Sequence, residues 1–146
     1  DSFVRNEREK NNNEAYETSI SGVRKIFKSL LSKNVICLAA DQVPQAGMGE
    51  YVKFFNRDAY TTTLASSLAY KTGKPVIYCS MNSDNNKNLF VSIKPCHESI
   101  YNDSKRLHSM NNSIENLINI NPKDYSWEYK RFKKAQPKNI DPYLKA

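Results

Sequence analysis

At 146 residues the chain has the length of one domain. A hydrophobic fraction of 39% supports a packed core, and only four glycines exclude a linker or a fibrous protein. The formal net charge of +7 favours acidic partners, whether nucleic acid, an anionic membrane face or an acidic protein.

Residues 1–18 are polar and Asn-rich, with Asn11, Asn12 and Asn13 in succession, and read as a loop or frayed start. Ser21 is placed to cap a helix in which Val23, Ile26, Phe27, Leu30 and Leu31 recur at helical spacing, with Arg24, Lys25 and Lys28 on the other face. Asn34 suits the left-handed residue that closes such a helix. Residues 35–40 are a continuous apolar run, the pattern of a strand buried on both faces, and end in Asp41 and Gln42. Residues 51–55 read as a short strand. Asp58 is placed to cap the next helix, whose inner stripe is Thr61, Leu64, Ala65, Leu68 and Ala69. Gly73 stops it, and Pro75 opens a strand over residues 76–79. Strand, helix and strand predict a βαβ unit with parallel pairing. Residues 82–88 form a polar loop, and residues 89–94 alternate as a further strand, at an edge beside Pro95.

After Cys96 the pattern turns helical, with Ile114, Leu117 and Ile118 on one stripe. Asn121 and Pro122 predict the start of another helix. The segment to Phe132 mixes Tyr125, Trp127 and Tyr129 with Lys123, Lys130, Arg131 and Lys133. The predicted plan is a polar N-terminal segment over residues 1–20, a domain over 21–134 and an irregular tail over 135–146. No internal repeat is present.

Cys37 and Cys79 lie in apolar runs and Cys96 follows Pro95. No CxxC or Cys/His pair has metal spacing, so buried reduced thiols are expected rather than a disulfide or zinc site. There is no signal peptide and no apolar run near the roughly 20 residues that cross a bilayer. The first residue is Asp1 rather than Met, and an upstream segment is expected.

An ordered series of residues carries a resemblance. It begins with the apolar run ending in Asp41-Gln42, then Phe54-Phe55 and Thr61 to Thr63. It continues through Leu68-Ala69, Thr72-Gly73, Pro75-Val76, Met110-Asn111, Ile114-Glu115 and Asn121-Pro122. It closes with Tyr125, Trp127 and Arg131-Phe132-Lys133. From about residue 21 to 134 the chain resembles the C-terminal half of the bacterial lipid A biosynthesis (lauroyl/myristoyl) acyltransferases, relatives of the glycerolipid acyltransferases. It departs from that family at Asn56, where Gly is usual, at Lys123-Asp124, where Glu-Gln is usual, and at Glu128 to Lys130 ahead of Arg131.

The resemblance implies an α/β fold with a mostly parallel central sheet flanked by helices. It implies transfer of a fatty acyl group from acyl carrier protein or acyl-CoA to a hydroxyl of a lipid A precursor. The setting would be an anionic membrane surface, the cytoplasmic face of a Gram-negative inner membrane, and neither metal nor cofactor is expected. Such enzymes resemble the glycerolipid acyltransferases in using a His with an acid after four intervening residues. The His takes the acceptor proton, and the carboxylate fixes its tautomer. Here His97 is followed at that spacing by Asn102 and His108 by Ser113. The motif would precede Asp1, so the chain is expected to be a C-terminal part without its own general base.

By the same resemblance Asp41 is the candidate catalytic carboxylate, against a plain strand-end Asp or helix cap. Gln42 is a candidate substrate contact, though a hydrogen bond to loop backbone suits it better. Phe54 and Phe55 are candidates to line an acyl channel, against ordinary core packing. Arg57 and Arg131 are candidate phosphate donors, and a solvated loop arginine is the plainer reading of Arg57. Thr61 to Thr63 suit a helix start. Arg24, Lys25 and Lys28 form a solvated face or a landing site for acyl carrier protein or lipid phosphates. Trp127 is expected in the core, with interfacial contact as its alternative. His97 and His108 read as ordinary histidines. A basic nucleic-acid-binding domain is the rival class. It lacks a helix-turn-helix glycine, an RNP-like strand and zinc spacing, so no nucleic acid partner is expected. An inactive membrane-binding remnant is the third reading.

Overall fold

The computed structural model describes residues 2–86, 88–134, 136, 142 and 143. They belong to two units, Asp1–Cys37 and Leu38–Ala146. The irregular tail expected over residues 135–146 lies mostly outside the described residues.

In the first unit a short helix α1, Ser2–Arg8, stands where a loop was expected. Arg5 with Glu9 and Lys10 with Glu7 make surface ion pairs across its C-terminal end. Helix α2, Ile20–Leu31, begins two residues earlier than its pattern suggested. Ser19 is the cap, and its Oγ accepts the Gly22 amide at 3.1 Å. The stripe lies as predicted except at its end: Ile26 is buried, Val23, Phe27 and Leu30 are half-buried, Leu31 is exposed, and Arg24, Lys25 and Lys28 are exposed on the other face. Lys33, not Asn34, takes the left-handed conformation after it, with φ of 68°.

The second unit is α/β, and its strands pair as antiparallel hairpins. Strands β1, Gly49–Phe54, and β2, Arg57–Thr62, form the first. Phe55 and Asn56 make the two-residue link, both with positive φ (45° and 59°), the geometry that matches hairpin twist. Asp58 therefore does not cap a helix. It sits in β2 and pairs with Lys53 across the ladder at 2.8 Å. Helix α3, Leu64–Thr72, follows and stops at Gly73, which has φ of 62° as its place in the sequence required. Strands β3, Ile77–Ser83, and β4, Leu89–Pro95, form the second hairpin. Its link is an Asx turn in which the Asp84 carboxylate accepts the amides of Asn86 and Asn88, each at 2.8 Å. The Asn88 side-chain amide, which donates to the same carboxylate at 2.9 Å, and then these backbone bonds hold the Asp84 carboxyl below its ordinary value.

No parallel pair occurs among the described residues, and residues 35–40 are not a strand. An apolar run becomes a strand only beside a partner that takes its backbone hydrogen bonds, and Val35 is 94% exposed. The predicted βαβ unit is thus replaced by hairpins on either side of α3.

Helix α4, Arg106–Ile118, organises the core. Leu107, Met110, Ile114 and Ile118 pack with Val52 and Phe54 of β1, Ala59 of β2, Ala69 of α3 and Ile100. Asn111 is buried on the same face, and its Nδ2 donates to the Lys53 carbonyl at 2.8 Å. Past α4 the expected helix at Pro122 is one 3-10 turn, Pro122–Asp124, and the chain then runs irregularly to Lys134.

The second hairpin is inverted relative to a surface sheet. The register puts Tyr78, Ser80, Ser92 and Asn82 on the inner face, where Asn82 Nδ2 bonds both serine hydroxyls at 3.0 Å. Ile77, Cys79, Met81, Leu89, Val91 and Ile93 stand on the outer face, all exposed. Cys37 and Cys79 are exposed rather than buried: one lies in the unpaired apolar run, the other on this outward face.

Candidate functional site

Asp41 follows residues 35–40 in a turn, half-buried, with Gln42 exposed beside it. The loop that continues to β1 is tied at several points. The hydroxyl of Tyr60 accepts the amides of Gly47 and Gly49, at 2.9 and 3.1 Å. Gly49 is required sterically, because a Cβ there would meet the Thr61 carbonyl at 2.6 Å and Pro44 Cγ at 2.7 Å. The Tyr129 hydroxyl accepts the Val43 amide at 2.7 Å, and Lys134 Nζ donates to the Pro44 carbonyl.

These last two bonds come from residues 125–134, a strap of successive turns laid over the Asp41 loop and the first hairpin. Arg131 in it is 2% exposed. Its Nη1 donates to the Tyr60 carbonyl at 2.9 Å and its Nη2 to Thr61 Oγ1 at 2.8 Å. Its Cζ lies 5.0 Å from the Phe54 ring centroid, an attractive cation–ring contact. Its Nε has no hydrogen-bond partner. Burial lowers the affinity of this guanidinium for its proton, while Tyr125 and Asp41 nearby oppose that.

Tyr125 faces Asp41. Its hydroxyl is buried and lacks a partner in good hydrogen-bond geometry. Burial first, and then the Asp41 charge, push the phenol up to about 12. Asp41, Tyr125 and Arg131 therefore form one electrostatic cluster, with the Phe54 ring under the guanidinium.

The remaining candidates lie at the tip of the first hairpin. Phe55 is partly exposed and meets Phe54 edge-on at 5.0 Å. Its amide donates to Glu115 Oε1 at 2.9 Å. Arg57 is exposed, its Cζ 5.8 Å from the Phe132 centroid, and Phe132 lies 6.1 Å from Phe54. The structure thus gathers Asp41, Phe54 and Arg131, leaves Phe55 and Arg57 one step away, and leaves Gln42 outside. Thr61 is buried in β2 rather than opening a helix, and its hydroxyl accepts from Arg131. Trp127 is not in the core. It is 55% exposed, and its Nε1 donates to the Pro122 carbonyl at 2.7 Å.

Tyr129 and Lys134 hold the loop, and Asn111 and Glu115 hold the hairpin, roles that the sequence pattern does not reveal. The cluster of aromatic and basic residues was visible, but an irregular strap has no periodicity to say which side chains face inward.

Chemically, a half-buried carboxylate backed by a buried cation is a hydrogen-bond acceptor suited to a hydroxyl. His97 and His108 are exposed, and His97 Nδ1 bonds Ser99 Oγ at 2.8 Å. Among the described residues neither histidine pairs with a carboxylate. No group of three His, Cys, Asp or Glu gathers among them to hold a metal ion. No helix among them is long and apolar enough to cross a membrane.

The family described as bacterial lipid A biosynthesis acyltransferase matches this chain over residues 1–134. The chain belongs to that family. No curated protein matches it. The lipid A acyltransferase match takes in both structural units and the whole strap, so its function is of the lipid A biosynthesis acyltransferase type.

Proposed function

We propose that the chain forms the C-terminal part of a site that moves a fatty acyl group from an acyl carrier protein thioester, rather than from coenzyme A, to a hydroxyl of a lipid A precursor. The observation that carries this reading is the cluster built around Asp41 in a chain of this family. The acceptor hydroxyl donates a hydrogen bond to Asp41, and Arg57 at the exposed hairpin tip meets a phosphate of the acceptor. Phe54 and Phe55 offer an apolar wall to the acyl chain. A general base takes the hydroxyl proton, the oxygen attacks the thioester carbonyl, and the thiolate leaves and is protonated.

That base is a histidine with a partnered acid, and it comes from polypeptide beyond these residues. Two features support this: neither histidine here has the acid, and the outer face of β3–β4 and residues 35–40 present apolar surface of the kind that packs in a sheet. A mostly parallel sheet would be completed through residues 35–40, and a further layer would cover the outer face of β3–β4. The setting is the cytoplasmic face of a Gram-negative inner membrane, where Arg24, Lys25 and Lys28 meet lipid phosphates or the acidic carrier protein.

The test is acyl transfer in vitro, with acyl carrier protein thioester and a lipid A precursor. The 146-residue chain alone is expected to be inactive, and activity is expected once a polypeptide bearing the His-x4-acid motif completes it. In that complex Asp41→Ala should cut turnover at least 100-fold, on the order of a lost charge-stabilising contact, with little change in melting temperature. Transfer by the isolated chain, or full turnover by Asp41→Ala, overturns the reading.

A further inference from the structure

We propose that Tyr125 and Arg131 are positioning residues for Asp41, and that the strap of residues 125–134 is the device that holds the Asp41 loop in its working geometry. The proposal rests on the reading of Asp41 as a site carboxylate. Its grounds are geometric. The strap grips the loop just beyond Asp41, through Tyr129 at Val43 and Lys134 at Pro44. It is fixed in turn to β2 by two Arg131 hydrogen bonds. Between these anchors Arg131 and Tyr125 each leave one buried polar atom without a hydrogen bond, Nε and the hydroxyl. Buried polar atoms are left unmatched rarely. Here both belong to residues that interact with the Asp41 carboxylate. The strap thus ties the Asp41 loop to β2 and keeps a buried cation and a phenol near enough to act on the Asp41 carboxylate.

The charged and titratable groups that act on Tyr125 are Asp41, Arg131 and Tyr129. Asp41 raises its phenol and Arg131 lowers it, so the two substitutions have opposite expected signs. The experiment places a fluorinated tyrosine at position 125 of the 146-residue chain. Three ring fluorines lower the phenol's titration by several units, into a range where the protein is stable, and provide a fluorine signal. Asp41→Asn should move the midpoint down and Arg131→Gln should move it up. A merely structural role would loosen the site in both variants and move both midpoints toward the unfolded value. In parallel, Tyr129→Phe should speed amide exchange of Val43 about tenfold, the scale of one lost hydrogen bond, with less effect on α4.

Opposite midpoint shifts with faster Val43 exchange establish the strap. Shifts of the same sign, no shift, or unchanged Val43 exchange overturn it. Should Arg131→Gln fail to fold, the Tyr129→Phe arm decides: faster Val43 exchange with α4 little changed supports the strap, and unchanged exchange overturns it. None of these readouts uses acyl transfer, so a failed transfer assay and a failed strap are told apart.

Discussion

The guanidinium of Arg131 lies over the ring of Phe54, 5.0 Å from its centroid, and both residues are buried, at 2% and 1% exposure. A cation so far from solvent is tolerated only where its hydrogen bonds are made. Arg131→Ala would remove the donors to the Tyr60 carbonyl and Thr61 Oγ1 together with the contact to Phe54. We expect a loss of about 3 kcal/mol in stability, the scale for breaking a buried charged network. Arg131→Lys should recover little, since its compact ammonium lacks the planar fork whose two nitrogens reach the Tyr60 carbonyl and Thr61 Oγ1 separately. Chemical denaturation of the two variants checks this.

The tip of the first hairpin is a second point of sensitivity. Phe55 and Asn56 both have positive φ, where side chains without a short polar group are strained. Asn56→Gly should stabilise the fold by about 0.5 kcal/mol, and Asn56→Val should cost about 1–2 kcal/mol. Thermal melts of the pair give both signs. The departure from glycine at this position is thus accommodated, since Asn is the next-best residue for the turn.

Alkaline pH should weaken the protein in a defined window. Burial, and then the charge and hydrogen bond of Cys96, push the Tyr78 phenol up. Tyr125 is pushed up to about 12. Both ionise near 10 in an unfolded chain. Stability is therefore complete below pH of about 10 and falls as pH rises toward 12, because the unfolded chain releases protons that the folded chain retains. Urea midpoints measured from pH 8 to pH 12 test this, and Tyr78→Phe should flatten the decline.

The inverted second hairpin predicts an asymmetry. Ile93→Lys and Met81→Lys, on the outer face, should change stability by no more than about 0.5 kcal/mol and reduce self-association. Tyr78→Ala, on the inner face, should cost about 3 kcal/mol, the scale for emptying a core aromatic site. Equal costs on the two faces would contradict the register. Denaturation and light scattering read the two effects.

Much of the fold was legible. The stripes of α2, α3 and α4, the stop at Gly73, and strands near residues 51–54, 77–79 and 89–94 all follow from periodicity and punctuation. The pairing was not legible. The first hairpin turns on Phe55-Asn56, which lacks a glycine and so hides its handedness, and Asp58 mimics a helix cap while serving as a cross-strand ion partner. Residues 35–40 read as a buried strand because hydropathy records what a segment prefers to lie against, not whether a neighbour is present. At the site, Asp41 stood out because an apolar run delivered it. Tyr129, Lys134 and Asn111 did not, because each acts through a bond to backbone 50 or more residues away.

Trp127 is the one tryptophan in the chain. It sits on the strap, half in solvent, 5.0 Å from the Tyr125 ring and 6.2 Å from Phe55. Indole emission is sensitive to such neighbours and to water, and no second indole contributes background. The protein thus carries an intrinsic optical probe at its C-terminal segment: a red shift arriving before the helical circular dichroism fades would mark release of this segment from an otherwise intact core.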